Sequence, residues 1–146
     1  MVGEGWLVVG EGWLVVGEGW LMRGENEMKV KTFEELEVWQ VAMQLAEMVY
    51  ALQKGLPKEE VYGLGDQIRR AVVSVPNNIA EGFGRDTTAD FIHFLFIARG
   101  SLFETRTQLE LARRLGYLQI DQSVYGKIDS VARLLNGLIR ALRAKH

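Results

Sequence analysis

Between Phe33 and Leu142 apolar side chains return every three or four residues in four successive stretches, and the first three are closed by glycine. That is the surface period of an α-helix rather than of a strand, so it restricts the chain to helix-on-helix packing. The first stretch opens at Thr32-Phe33-Glu34-Glu35, the spacing of a capping box, and is predicted to run to about Lys54, before Gly55-Leu56-Pro57. It carries two apolar stripes, one through Leu36, Trp39, Met43, Ala46 and Tyr50, the other through Val38, Ala42, Leu45, Val49 and Leu52. Two stripes on one helix need two burial surfaces, which predicts self-association, but their phase alone does not say which faces outward.

Pro57 suits the first position of a second helical segment, with Glu59 and Glu60 favourable in its first turn. Leu64, Ile68, Val72, Val75, Ile79 and Phe83 then share one face. Pro76 deprives the Val72 carbonyl of its partner, at a cost of about 3 kcal/mol. Because the apolar face stays in phase across it, a single proline-kinked helix is expected, ending at Gly82 and Gly84. Thr87-Thr88-Ala89-Asp90 offers an aspartate form of the capping box for a third helix reaching about Leu115. Its opening, FIHFLFIA, has seven apolar residues in eight and should be enclosed on most sides, while Ala98, Gly100 and Ser101 are small enough for another helix to come close. Gly116 closes it, Asp121 or Ser123 can cap the fourth, and Val124, Ile128, Val131, Leu135, Leu138 and Leu142 form a bundle seam. Four such helices with short connections define an all-α, up-down four-helix bundle.

The preceding segment is different. VGEGWLV, VGEGWLV and VGEGWLM follow one another from Val2 to Met22, and two glycines in every seven residues do not suit a helix. As strands the WLVV pieces are short and lack alternation. The expectation is a disordered or loosely attached leader over 1–27, a DNA repeat translated from upstream of a true start at Met28 or Met22, followed by the bundle domain over 28–146.

Cysteine is absent, which excludes disulfides and thiolate chemistry and fits the cytoplasm. No apolar run approaches the roughly 20 residues of a membrane helix. EGFGR lacks the strand and full spacing of a dinucleotide loop and the lysine of a P-loop, so it reads as a helix terminator. His93 has no second ligand beside it and is expected to be a packed residue with one hydrogen bond. Asn78 and Glu81, with Arg85 one turn on and Arg99 on the third helix, are expected to form a polar cluster holding the kinked segment. An enzyme would have only Asn78, Glu81 and Arg85 to draw on, and no catalytic residue, cofactor or metal is assigned.

Charge is the one pointer to a partner. Residues 28–146 are near neutral at +2, whereas 99–146 hold nine basic and four acidic residues. Arg99, Arg106 and Arg113 recur every seven residues. Many of these cations have a helical i,i+4 acid available, at Asp66–Arg70, Glu81–Arg85, Glu110–Arg114 and Asp129–Arg133. The candidates for phosphate contact are Arg69, Arg70, Arg99, Arg106, Arg113, Arg114 and Arg140.

FEELEVWQ, YGLGDQIRRAVVSVPNNIAEGFGR and FIHFLFIARGSLFETRTQLELARRLGYL, between Phe33 and Leu118, resemble the four-helix bundle proteins encoded within 23S ribosomal RNA intervening sequences. NIAEG followed by IARGSL is the specific part. The resemblance implies a left-handed bundle that assembles as a homo-oligomer, a pentamer, without catalytic activity. A more distant resemblance, to the accessory protein of diversity-generating retroelements, implies nucleic acid and a reverse transcriptase as partners. The leading expectation is therefore a non-enzymatic oligomeric bundle acting as a nucleic-acid-associated accessory protein. The alternative is a protein-only scaffold whose arginines make intersubunit salt bridges.

Overall fold

The computed structural model describes residues 30–144 and, before them, the backbone of three short strands, β1 (Leu7–Val8), β2 (Trp13–Val16) and β3 (Trp20–Arg23). The strands pair antiparallel in the order β1-β2-β3, with Leu7 opposite Val15 and Leu14 opposite Met22. The WLVV and WLMR pieces thus adopt the pairing that sequence reasoning ranked low for want of alternation, since ladder hydrogen bonds do not depend on side-chain pattern. The rest of 1–29, and with it the expectation of a disordered leader, lies outside the described residues.

From residue 30 every regular element is helical: α1 (Glu37–Gln53), α2 (Leu64–Phe83), α3 (Thr88–Arg114) and α4 (Gln122–Ala144). Each packs against its neighbours in sequence, and α4 closes back on α1, forming a four-helix bundle. The predicted seam of α4 is buried throughout, and Ile68, Val72, Val75 and Ile79 of α2 are fully enclosed. Burial of each such aliphatic side chain contributes about 1.5–3 kcal/mol.

The start of α1 differs from expectation. Thr32 makes no side-chain cap; Phe33–Glu35 form a 3₁₀ turn, and Glu35 Oε2 accepts instead from the Lys31 amide at 3.5 Å. Leu36, which is extended, is the residue before α1. Pro57 likewise precedes a 3₁₀ turn, Lys58–Glu60, and not α2 itself. The orphan amide at the start of α2, that of Leu64, is met by the Glu60 carboxylate at 3.2 Å. Thr87 does cap α3, its Oγ1 accepting from the Asp90 amide at 3.1 Å. Gly116, at φ 77°, ends α3 in the left-handed conformation that glycine adopts without steric cost.

Pro76 is buried within an unbroken α2. Near it Asn78 Nδ2 donates to the Ser74 carbonyl and to Ser74 Oγ, at 2.8 and 2.9 Å, and Ser101 Oγ of α3 donates to Ser74 Oγ at 3.0 Å. The α2–α3 contact is close at Gly82, which sequence reasoning took for a terminator. It is buried, and a Cβ there would stand 2.6 Å from Phe94 Cβ and 3.0 Å from Phe91 Cδ1.

The two stripes of α1 separate only in part, because Leu36 and Ala46 of the first are buried and Leu52 of the second is half-buried. Val38, Ala42, Leu45 and Val49 face the interior, whereas Trp39 and Met43 are half-buried and Tyr50 is 41% exposed. Aliphatic side chains fill the interior of a narrow bundle, and rings with a polar atom lie at its edge. Outward-facing candidates on α1 are therefore Trp39, Met43 and Tyr50, and not Val38 or Val49.

Candidate functional site

The heptad spacing of Arg99, Arg106 and Arg113 sets all three along one edge of α3, because seven residues make nearly two full turns. That edge faces α4, which runs antiparallel to α3, and a ladder of polar ties crosses the seam. Tyr125 OH donates to Glu110 Oε2 at 3.2 Å, Arg106 Nη1 to Asp129 Oδ1 at 2.9 Å, and Arg99 Nη1 to Asn136 Oδ1 at 2.9 Å.

One end of the seam is charge-compensated. Arg113 grips Glu110 through Nε and Nη2, at 3.0 and 2.7 Å, and Arg114 Nε joins at 3.1 Å. Hydrogen bonds from Arg113 and then Arg114, with a smaller one from Tyr125, lower the Glu110 pKa from 4.5 to about 2 against an opposing desolvation effect. Burial, and then the hydrogen bond to Glu110, raises the pKa of Tyr125. Arg106, Thr107, Glu110, Leu111, Arg114 and Tyr125 line an open groove of about 660 Å³ here. At the start of α4 the Ser123 hydroxyl lowers the pKa of Asp121 by donating to it at 2.6 Å.

The other end is not compensated. Arg99 and Arg143 both lie over the Phe96 ring, with Cζ 4.7 and 4.8 Å from its centroid. No acid occurs on α3 between Asp90 and Glu104, nor on α4 after Asp129. Among the described residues Arg99, Arg133, Arg140 and Arg143 make no ion pair, and Arg133, Arg140 and Arg143 are exposed.

The candidates proposed from sequence thus divide. Arg69 and Arg70 lie on α2, where Arg69 donates to Gln53 Oε1 at 2.6 Å and the Val61 carbonyl at 3.0 Å, and Arg70 pairs with Asp66 at 3.0 Å. Arg106, Arg113 and Arg114 are carboxylate-paired in the seam. Arg99 and Arg140 are not. Three of the four expected i,i+4 pairs form; the fourth does not, because Asp129 is drawn across to Arg106. Asn136 and Phe96 were not singled out, and Arg143 was not among the phosphate-contact candidates, although the long acid-free run after Asp129 is a readable signal for it.

Asn78, Glu81, Arg85 and Arg99 are not brought into one polar cluster. Asn78 bonds within the Ser74–Ser101 link, Glu81 pairs with Arg85 at 2.9 Å on the surface, and Arg99 turns to α4. Arg85 also lies over Phe94, 4.6 Å from its centroid. Asn78, Glu81 and Arg85 share one face of α2, but their partners differ: Asn78 turns back to Ser74 on its own helix, while Glu81 is taken by Arg85. His93 is exposed, its ring edge-on to Phe94, and so is not the packed residue expected. Nor is FIHFLFIA enclosed within the subunit: Phe91, Leu95 and Ala98 are buried while Ile97 is 39% exposed. Further along α3, Phe103, Leu111 and Leu115 remain 49, 47 and 53% exposed, with open space above Gly100.

In class the molecule is a four-helix bundle whose polar residues tie helix to helix, bearing an apolar outer stripe on α3 and a basic seam end. No helix among the described residues is long and apolar enough to cross a membrane. The family model for the 23S rRNA-intervening sequence protein matches residues 34–137, and the chain belongs to that family. In structure it is similar to a protein of unknown function from the S23 ribosomal protein family of Bacteroides thetaiotaomicron, with 28% identity and a TM-score of 0.65, over 70% of this chain and 98% of that one. No curated protein matches it.

Proposed function

We propose that the protein is a non-enzymatic, homo-oligomeric bundle that serves as a nucleic-acid-associated accessory protein. The observation that carries the assembly is the outer face of α3. Ile97, Phe103, Leu111 and Leu115 leave a long apolar stripe in water, and such stripes on a bundle mark a contact surface. Gly100, exposed and with nothing near its missing Cβ, allows close approach of a neighbour there. The family resemblance implies a pentamer for the closed assembly. Assembly repeats any basic surface around the ring and makes weak contacts multivalent.

Sedimentation velocity at micromolar concentration tests this reading, together with measurement of nucleic acid retained by the native oligomer at low salt. A closed oligomer that Leu111→Glu dissociates without unfolding is the expected result. A wild-type monomer overturns the assembly. A second reading, the protein-only scaffold, is favoured by the pairing of Arg70, Arg106, Arg113 and Arg114 with carboxylates of their own chain. It takes over if the oligomer forms but retains no nucleic acid.

A further inference from the structure

We propose that single-stranded nucleic acid is held at the acid-free end of the α3–α4 seam, by Arg99 and Arg143 over Phe96 and by Arg140 one turn before Arg143 on α4, and not along the Arg106–Arg113 half. This rests on the nucleic-acid reading above and assigns it a place.

The argument is one of competition for cations. A phosphate that approaches Arg106 or Arg113 meets a guanidinium already neutralised by a carboxylate at 2.9 or 2.7 Å, and must share the cation with that anion or displace it. The nearby carboxylate repels the phosphate and offsets part of the gain from counterion release that drives binding to a polyanion. At the other end the guanidinium groups have no anion to lose. Arg99 and Arg143 lie over Phe96, whose π-electrons hold a cation without neutralising it. A guanidinium carries five N–H donors, and Arg99 spends one on Asn136, so donors remain for phosphate oxygens. Guanidinium planes also offer a surface on which unpaired bases stack.

The arrangement is linear. At 1.5 Å per residue, the cations from Arg133 through Arg140 to Arg143 extend over about 15 Å of α4. A file of cations along a helix seam suits a flexible strand of phosphates better than the flat field of a lipid surface.

The test is fluorescence anisotropy of a labelled uridine oligonucleotide with the full-length oligomer across a range of salt concentrations. The double variant Arg140→Gln/Arg143→Gln is compared with Arg106→Gln/Arg113→Gln, and sedimentation checks that each keeps the assembly. Loss of Arg140 and Arg143 should make the log–log salt slope shallower by about 0.7 per arginine and weaken binding, with the other pair unchanged. The reverse pattern overturns this placement while leaving nucleic-acid association intact. If the wild-type oligomer does not bind the oligonucleotide at low salt, both fall. Binding to phosphatidylserine vesicles in that case would point to a lipid surface instead.

Discussion

Arg106 on α3 donates to Asp129 on α4 at 2.9 Å, and in doing so takes Asp129 from Arg133, the partner that its own helix offers one turn away. With side chains 47 and 63% exposed, the pair adds about 0.2–1 kcal/mol and acts chiefly to neutralise Arg106. Asp129→Asn should therefore lower the melting temperature only slightly. It should also steepen the salt dependence of oligonucleotide binding, because Arg106 then joins the unpaired file. An unchanged slope would mean that pairing is not what silences this arginine.

The Glu110 node gives a pH signature. Its folded pKa, about 2, lies below the ordinary 4.5, so the stability it confers is complete above 4.5 and is lost as pH falls toward 2. Thermal melts of wild type should decline through that window more steeply than those of Glu110→Gln, in which the linkage is gone. Parallel curves for the two proteins would contradict the assignment.

Two helical glycines should respond oppositely to alanine. At Gly82 the new methyl group meets Phe94 Cβ at 2.6 Å, and the overpacking, about 1–3 kcal/mol, should outweigh the better helix propensity. At Gly100 nothing lies within 4 Å, so alanine should stabilise the subunit by up to about 1 kcal/mol. If that stripe is the assembly contact, Gly100→Ala should at the same time weaken the oligomer. Chemical denaturation and sedimentation read the two effects separately.

On α1 the inner and outer stripes should separate folding from assembly. Val49 is wholly buried, so Val49→Lys should abolish folding, since an unpaired buried ammonium costs several kcal/mol. Tyr50 is 41% exposed, and Tyr50→Lys should fold with a near-native circular dichroism spectrum. Loss of structure in both would show that the outer stripe is also core.

Much of the bundle was legible because its signals are local. The seam from Val124 to Leu142 needs only period 3.6, the Thr87 cap needs only the residues beside it, and the Gly116 stop needs only a backbone that glycine alone adopts without cost. Capping at Thr32 failed although its spacing was right, because a 3₁₀ turn took up the same residues and drew Glu35 to the Lys31 amide.

Sequence by itself determined four helices, nearly where each ends, and an excess of cations toward the last two. Only the tertiary structure decided which stripe of α1 faces in, that Gly82 is a close approach and not a stop, and which arginines keep a free charge. The physical reason is that an i,i+4 acid and a cross-helix acid offer an arginine almost the same energy. The choice between Asp129–Arg133 and Asp129–Arg106 therefore falls to the register in which α3 and α4 pack.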